Sequence, residues 1–133
     1  CTTYQAFGAN GLITSGMGRD LDQVEAINFP VFTNGTICAH GYCHITSVGV
    51  SVSVGGMTVY PGDLLHGDLN GVTTIPQEIA SEMPEACKEF MAAEDIVFSY
   101  LKSGSITPAG MNEARQECTQ AIAQIGKRVR GES

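Results

Sequence analysis

Apolar positions recur along this chain at two spacings, and the change from one to the other divides it. From Ile45 to Val59, "ITSVGVSVSVGGMTV" alternates apolar with small polar residues, so Val48, Val50, Val52 and Val54 share one face of a predicted strand. Gly55-Gly56 reads as a hairpin turn. "YPGD" reads as a second turn, "LLHGD" as strand and turn, and "NGVTTIP" as a β-rich segment that Pro76 stops. The strand-dense middle is therefore predicted over residues 45–76. Beyond it the period lengthens. Residues 84–102 place Ala86, Phe90, Ala93, Val97 and Leu101 on one helical stripe, with Pro84 in the first turn. Thr107 and Pro108 read as N-cap and first position of a second helix, with Met111, Ala114, Cys118, Ile122 and Ile125 on one side.

Upstream the elements are shorter. "CTTYQAFGAN" reads as the last turns of a helix, closed by Gly8, Asn10 and Gly11. "GLITS" follows as a buried strand and "GMG" as a turn. "DLDQVEAIN" then carries Leu21, Val24 and Ile27 at helical spacing, with Asp20 or Asp22 as N-cap. "FPVFTNG" is a short strand with Pro30 at its start. The order predicts an α/β domain that ends in helices.

Length and charge narrow the class. A chain of 133 residues holds one domain, read as an α/β core over 1–78 and a helical tail over 79–133. A net charge of -7 argues against a direct nucleic-acid partner, since phosphate contacts need clustered Lys and Arg. The basic residues of "GKRVRGES" suit a solvated helix end. No segment has the apolar length of a membrane span, so no membrane partner is expected. Five cysteines, an odd number, point to reduced thiols and a cytoplasmic location. A chain that opens on Cys1 inside a helix is expected to be a piece of a longer one, with its N-terminal part missing.

Three stretches carry candidate chemistry. In "ITSGMGRD", Arg19 is the first charged side chain and the only Lys or Arg before Lys88, and residues 26–62 hold no Asp, Glu, Lys or Arg. A Gly-rich turn between strand and helix offers N–H groups to an anion, Arg19 a planar fork for a carboxylate, and Asp20 a hard oxygen for Mg²⁺. The alternative is that Asp20 caps the helix while Arg19 pairs with an acid such as Asp22. "CAHGYCH" gathers Cys38, His40, Cys43 and His44. Its spacing matches no closed zinc site, and the competing reading is a loop followed by a strand with buried thiols. "PGDLLHGDLNGV" offers Asp63, His66 and Asp68, and ordinary turn chemistry accounts for them. There is no P-loop, no Gly-x-Ser-x-Gly elbow and no dinucleotide fingerprint.

Taken in order, "GANGLITSGMGRDLDQVEAINFPVFTNG" and "VSVGGMTVYPGDLLHGDLNGVTTIP" resemble the family of the regulator of ribonuclease activity A. That family also holds the class II 4-hydroxy-4-methyl-2-oxoglutarate/4-carboxy-4-hydroxy-2-oxoadipate aldolases, under an older label demethylmenaquinone methyltransferase-like. The resemblance covers most of residues 1–78. It implies a swivelling α/β/β sandwich, a homotrimer or dimer of trimers, and sites at subunit interfaces. It also implies that Arg19 holds the keto-acid part of a 2-oxo acid substrate and that Asp20 helps bind Mg²⁺ or Mn²⁺. The reaction implied is retro-aldol cleavage of a 4-hydroxy-2-oxo acid to pyruvate, with oxaloacetate decarboxylation through the same enolate. The aldolase pattern places an acid where this chain has Gln23, and a Gly well upstream of the Arg, before Cys1. A defective site and open sheet edges are therefore expected of this chain alone. The competing function is a non-catalytic binder of a ribonuclease. A methyltransferase finds no support, since nothing here resembles an S-adenosylmethionine site. His44 and His66 are assigned no role.

Overall fold

The computed structural model describes residues 1–132. The chain divides into two compact units between Ile75 and Pro76.

The first unit is built from short elements: α1 (Thr2–Ala6), β1 (Leu12–Ile13), α2 (Leu21–Ala26), β2 (Val31–Phe32), β3 (Val52–Val54), β4 (Met57–Val59), β5 (Leu64–Asp68) and β6 (Gly71–Ile75). β1 and β2 pair in parallel, Leu12 opposite Val31 and Ile13 opposite Phe32. α2 supplies the crossover a parallel pair requires. β3 and β4 form an antiparallel hairpin. Gly55 and Gly56 turn it with φ of 58° and 82°, the double left-handed geometry that glycine supplies without a Cβ clash. β5 and β6 form a second hairpin, Asp68 opposite Gly71. Phe32 lies over Gly67, where a Cβ would come within 2.7 Å of the ring's Cζ. A bare backbone at Gly67 is what lets β2 approach β5. Phe29 and Val54 are the buried apolar side chains of this unit.

The predicted strand over Ile45–Ser51 does not form. Those residues are neither strand nor helix, and Ile45, Val48 and Val50 are exposed. Alternation confers a capacity to pair, and a strand exists only where another lies beside it to take its N–H and C=O groups. Among the described residues no segment takes that place, and only Val54 of the four alternating valines is buried. Each sheet has two strands, a size that is marginal in water without further packing.

Asp68 folds the tip of the second hairpin. Its Oδ1 accepts the Asn70 N–H at 2.7 Å, and its Oδ2 accepts from the Asn70 side-chain amide at 3.2 Å. The Asn70 backbone N–H, then its side-chain amide, hold this carboxyl below its ordinary value of 3.8, with His66 adding a smaller push the same way. A depressed carboxyl contributes stability above its unfolded pKa and loses it as pH falls through the folded one. The Asn70 amide resonance is therefore expected to titrate with a midpoint below 3.8, and Asp68→Asn to abolish that titration.

The second unit begins with a 3₁₀ turn (Gln77–Ile79) and is dominated by two long helices, α3 (Met83–Lys102) and α4 (Pro108–Val129). Thr107 caps α4 as predicted: its backbone is extended, and its Oγ1 accepts the Gly110 N–H at 3.1 Å. Ala86, Ala93 and Ala114 are the buried residues, so the helices pack through small side chains. Phe90 and Leu101, assigned to the buried stripe of α3 by periodicity, are 41% and 40% exposed. The buried seam runs along the flank with the alanines. Arg128 near the end of α4 pairs with Glu82 at 2.9 Å and with Glu89 on α3, so the basic C-terminal stretch also ties the two helices together.

Candidate active site

The Gly-rich turn is fixed by the chain that leads into and out of β2. Leu12 N–H donates to the Pro30 carbonyl and Thr14 N–H to Phe32, each at 2.9 Å. Past the strands the alignment continues: Asn34 N–H donates to Gly16, Gly18 N–H to Gly35, and Ile37 N–H to Gly18, at 2.8–2.9 Å. Gly18 forms a parallel bridge with Thr36. This ladder leads directly into Arg19 and sets where its side chain starts.

Gly16 N–H is also engaged, by Thr14 Oγ1 at 3.0 Å. With Gly16 and Gly18 N–H both committed, the turn is not the open anion cradle that its glycines suggest. The charge it presents comes from side chains.

Arg19 and Asp20 face each other. Arg19 Nε donates to Asp20 Oδ2 at 3.1 Å, and Arg19 Nη1 donates to the Cys38 carbonyl at 3.3 Å. Their side chains are 35% and 48% exposed, so water and ligands reach both. Two of the five guanidinium N–H groups are thereby used, and Nη2 keeps both of its donors for a ligand. The planar fork is held at two points while one end stays open to a carboxylate.

Asp20 departs from the capping alternative drawn from the sequence. It stands at the N-cap position of α2, and its carbonyl accepts from Gln23 and Val24 N–H at 3.0 and 3.1 Å. Its side chain makes no capping bond. A capping side chain reaches the helix N–H groups from an extended backbone. Asp20 instead has φ 56° and ψ 41°, left-handed geometry that costs a non-glycine residue roughly 1–2 kcal/mol. Non-glycine residues held in this region cluster at functional sites, and Asp is among those that tolerate it. Arg19 pairs with Asp20 itself and not with Asp22.

The remaining candidates are not drawn into this pair. Cys38, His40, Cys43 and His44 lie on an exposed loop, and both thiols are solvent-accessible, so the buried-thiol reading fails because the strand that would bury them does not form. Asp63 Oδ2 accepts Tyr60 N–H at 2.8 Å and closes a turn. His66 Nε2 lies 3.7 Å from Asp68 Oδ2.

Among the described residues no three His, Cys, Asp or Glu side chains gather as a metal cluster. The donor chemistry at Asp20 suits one kind of ion. One carboxylate oxygen engages Arg19 and the other remains, and Mg²⁺ or Mn²⁺ is commonly held by one or two carboxylates with waters and substrate oxygens completing the shell. Gln23 supplies no second carboxylate.

Beside the turn a hollow of about 450 Å³ opens, with Thr14, Ser15, Thr33 and Asn34 as its polar lining and Ile13 and Phe32 among its apolar walls. Arg19 and Asp20 are not part of that lining. Ser15 Oγ accepts Gly55 N–H at 3.2 Å and links the turn region to the β3–β4 hairpin. Sequence reasoning misses these residues, since Ser and Thr at a strand end look like ordinary turn chemistry.

Known proteins are similar to this chain in sequence, and one in fold. Residues 1–74 match the RraA-like family, described as Aldolase/RraA. The chain is 35% identical over 92 residues to a Halalkalibacterium halodurans protein named "Putative 4-hydroxy-4-methyl-2-oxoglutarate aldolase", covering 68% of this chain and 44% of that one. It is 33% identical over 88 residues to an uncharacterized Methanocaldococcus jannaschii protein, covering 65% and 42%. A crystal structure of an uncharacterized Pseudomonas syringae pv. tomato protein superposes with TM-score 0.61 at 26% identity, covering 86% of this chain and 56% of that one. The chain thus spans less than half the length of these two curated relatives.

Proposed function

The chain belongs to the RraA-like (Aldolase/RraA) family, and from that premise we propose that it serves a lyase that cleaves 4-hydroxy-2-oxo acids to pyruvate, decarboxylates oxaloacetate, or both. The observation that carries this reading is the Arg19–Asp20 pair: an isolated guanidinium, held at two points with one end open, beside a carboxylate on a left-handed backbone. The name of the Halalkalibacterium halodurans relative supports the same class.

The roles follow from the donors. Arg19 receives the carboxylate or keto-acid end of the substrate, and its positive charge offsets charge that develops on the 2-oxo oxygen as the carbon–carbon bond breaks. Its bond to the Cys38 carbonyl limits how far the fork can swing. Asp20 orients Arg19 through Nε and keeps its second oxygen for Mg²⁺ or Mn²⁺. When bound, such an ion supplies Lewis-acid stabilisation to an enolate oxygen. We further propose a trimer, or a dimer of trimers, as the working assembly in the cytoplasm, with residues from a neighbouring copy completing the site.

The test is direct. The whole protein that carries this chain is incubated with oxaloacetate and Mg²⁺, and pyruvate is followed above the protein-free rate. Pyruvate formation that EDTA removes and Mn²⁺ or Mg²⁺ restores is the expected result. A folded protein that forms no pyruvate with any divalent ion overturns the lyase reading in favour of a non-catalytic protein-binding regulator, for which exposed Phe7, Tyr42 and Leu69 offer apolar contact surface.

A further inference from the structure

The loop that holds Arg19 from behind carries two exposed thiols. Cys38 and Cys43 are both free and solvent-accessible, and the chain between them, Ala39-His40-Gly41-Tyr42, has no helix or strand hydrogen bonds to break. Cys43 Sγ donates weakly to the Gly41 carbonyl at 3.9 Å, so the thiol is turned back along the loop. Gly41 has no heavy atom within 4 Å of the place a Cβ would take, which leaves the loop room to fold on itself. Meanwhile the Cys38 carbonyl is the second anchor of Arg19. One side of this loop is therefore a dithiol, and the other is the acceptor that positions the guanidinium.

We propose that Cys38 and Cys43 form a reversible intrachain disulfide that controls the placement of Arg19. A small-molecule disulfide such as oxidised glutathione is the oxidant. One thiolate of the pair attacks its sulfur and releases one glutathione thiol. The second thiolate then attacks the mixed disulfide, forms the Cys38–Cys43 bond and releases the second glutathione. Two protein thiols lose two electrons and two protons, and one glutathione disulfide becomes two thiols. Bridging requires the two Cα atoms to lie within about 4.4–6.8 Å, a separation that four intervening residues without helix or strand bonds can accommodate. Closing that ring resets the backbone at Cys38, and its carbonyl withdraws from Arg19 Nη1. The inference concerns the position of Arg19 and stands apart from the substrate that Arg19 serves.

The experiment reads the bond and the arginine separately, without enzymatic activity. The reduced chain is treated with oxidised glutathione in the presence of EDTA and analysed by intact mass. The expected product is lighter by about 2 Da, the two hydrogens that complete exchange removes. Chymotrypsin cleaves after Tyr42, between the two cysteines, so non-reducing digestion should yield Cys38 and Cys43 peptides joined, and reduction should part them. The Arg19 Nε–Hε resonance is expected to shift on oxidation and to return on reduction. In Cys43→Ser the joined peptides and the light product are absent. The proposal is overturned if Cys38 and Cys43 remain as separate glutathione adducts, or pair with Cys1, Cys87 or Cys118. It is equally overturned if the 38–43 bond forms and the Arg19 resonance does not move.

Discussion

Replacing Arg19 with alanine is expected to lower kcat/KM for pyruvate formation from oxaloacetate by about 100-fold or more, the usual result of removing one donor from a developing oxyanion. Arg19 is the only Lys or Arg before Lys88, so no neighbouring cation in the first unit can stand in. Arg19→Lys keeps the charge and loses the fork. It is expected to recover only part of the activity, since an ammonium cannot hold Asp20, the Cys38 carbonyl and a substrate carboxylate in one plane. Stability should separate from activity. The Arg19–Asp20 pair is partly exposed, and exposed pairs contribute less than about 1 kcal/mol, so the melting temperature should barely move. An Arg19→Ala protein with wild-type kcat/KM would remove Arg19 from the mechanism. Asp20→Asn tests the partner: the amide tolerates the left-handed backbone while giving up the charge that orients Arg19.

Features decided within a few residues are legible in the sequence. Thr107-Pro108 announces a capped helix start, and Gly55-Gly56 a hairpin, because both depend on local backbone chemistry. The family and the α/β class are also legible, through an ordered set of turns and not through any single motif. Ile45–Ser51 misleads because a strand is a relation between two segments, and one segment's alternation cannot show whether the other is present. Asp20 is half legible. Its residue type and place predict a helix start, and its carbonyl does begin α2. Its left-handed backbone, with the carboxylate on Arg19 and no side-chain capping bond, is not announced by residue type or spacing. The stripe through Phe90 misleads for a related reason. Helical period fixes a face, but the choice between flanks of that face belongs to the partner helix.

That partner contact yields the largest expected loss of stability, at Gly110. In an exposed helix Gly→Ala gains up to about 1 kcal/mol from propensity alone. Here the sign should reverse. A Cβ on Gly110 would lie 2.7 Å from Tyr100 Cζ and 2.9 Å from Cε2, inside van der Waals contact. The ring cannot simply swing aside, because Tyr100 Oη accepts the Thr107 N–H at 2.8 Å and lies within 3.3–3.4 Å of the Ser105 and Thr107 carbonyls. Relieving the clash means giving up that cluster, which closes the turn between α3 and α4. Overpacking of this kind costs about 1–3 kcal/mol, so Gly110→Ala should destabilise the helical unit on balance, and Gly110→Val more so. A double-mutant cycle with Tyr100→Leu, read by thermal unfolding, isolates the contact. The branched, shorter side chain vacates the space above residue 110, so the alanine should become neutral or stabilising in that background. If Gly110→Ala raises the melting temperature with Tyr100 intact, the Tyr100 ring is not held where these bonds place it.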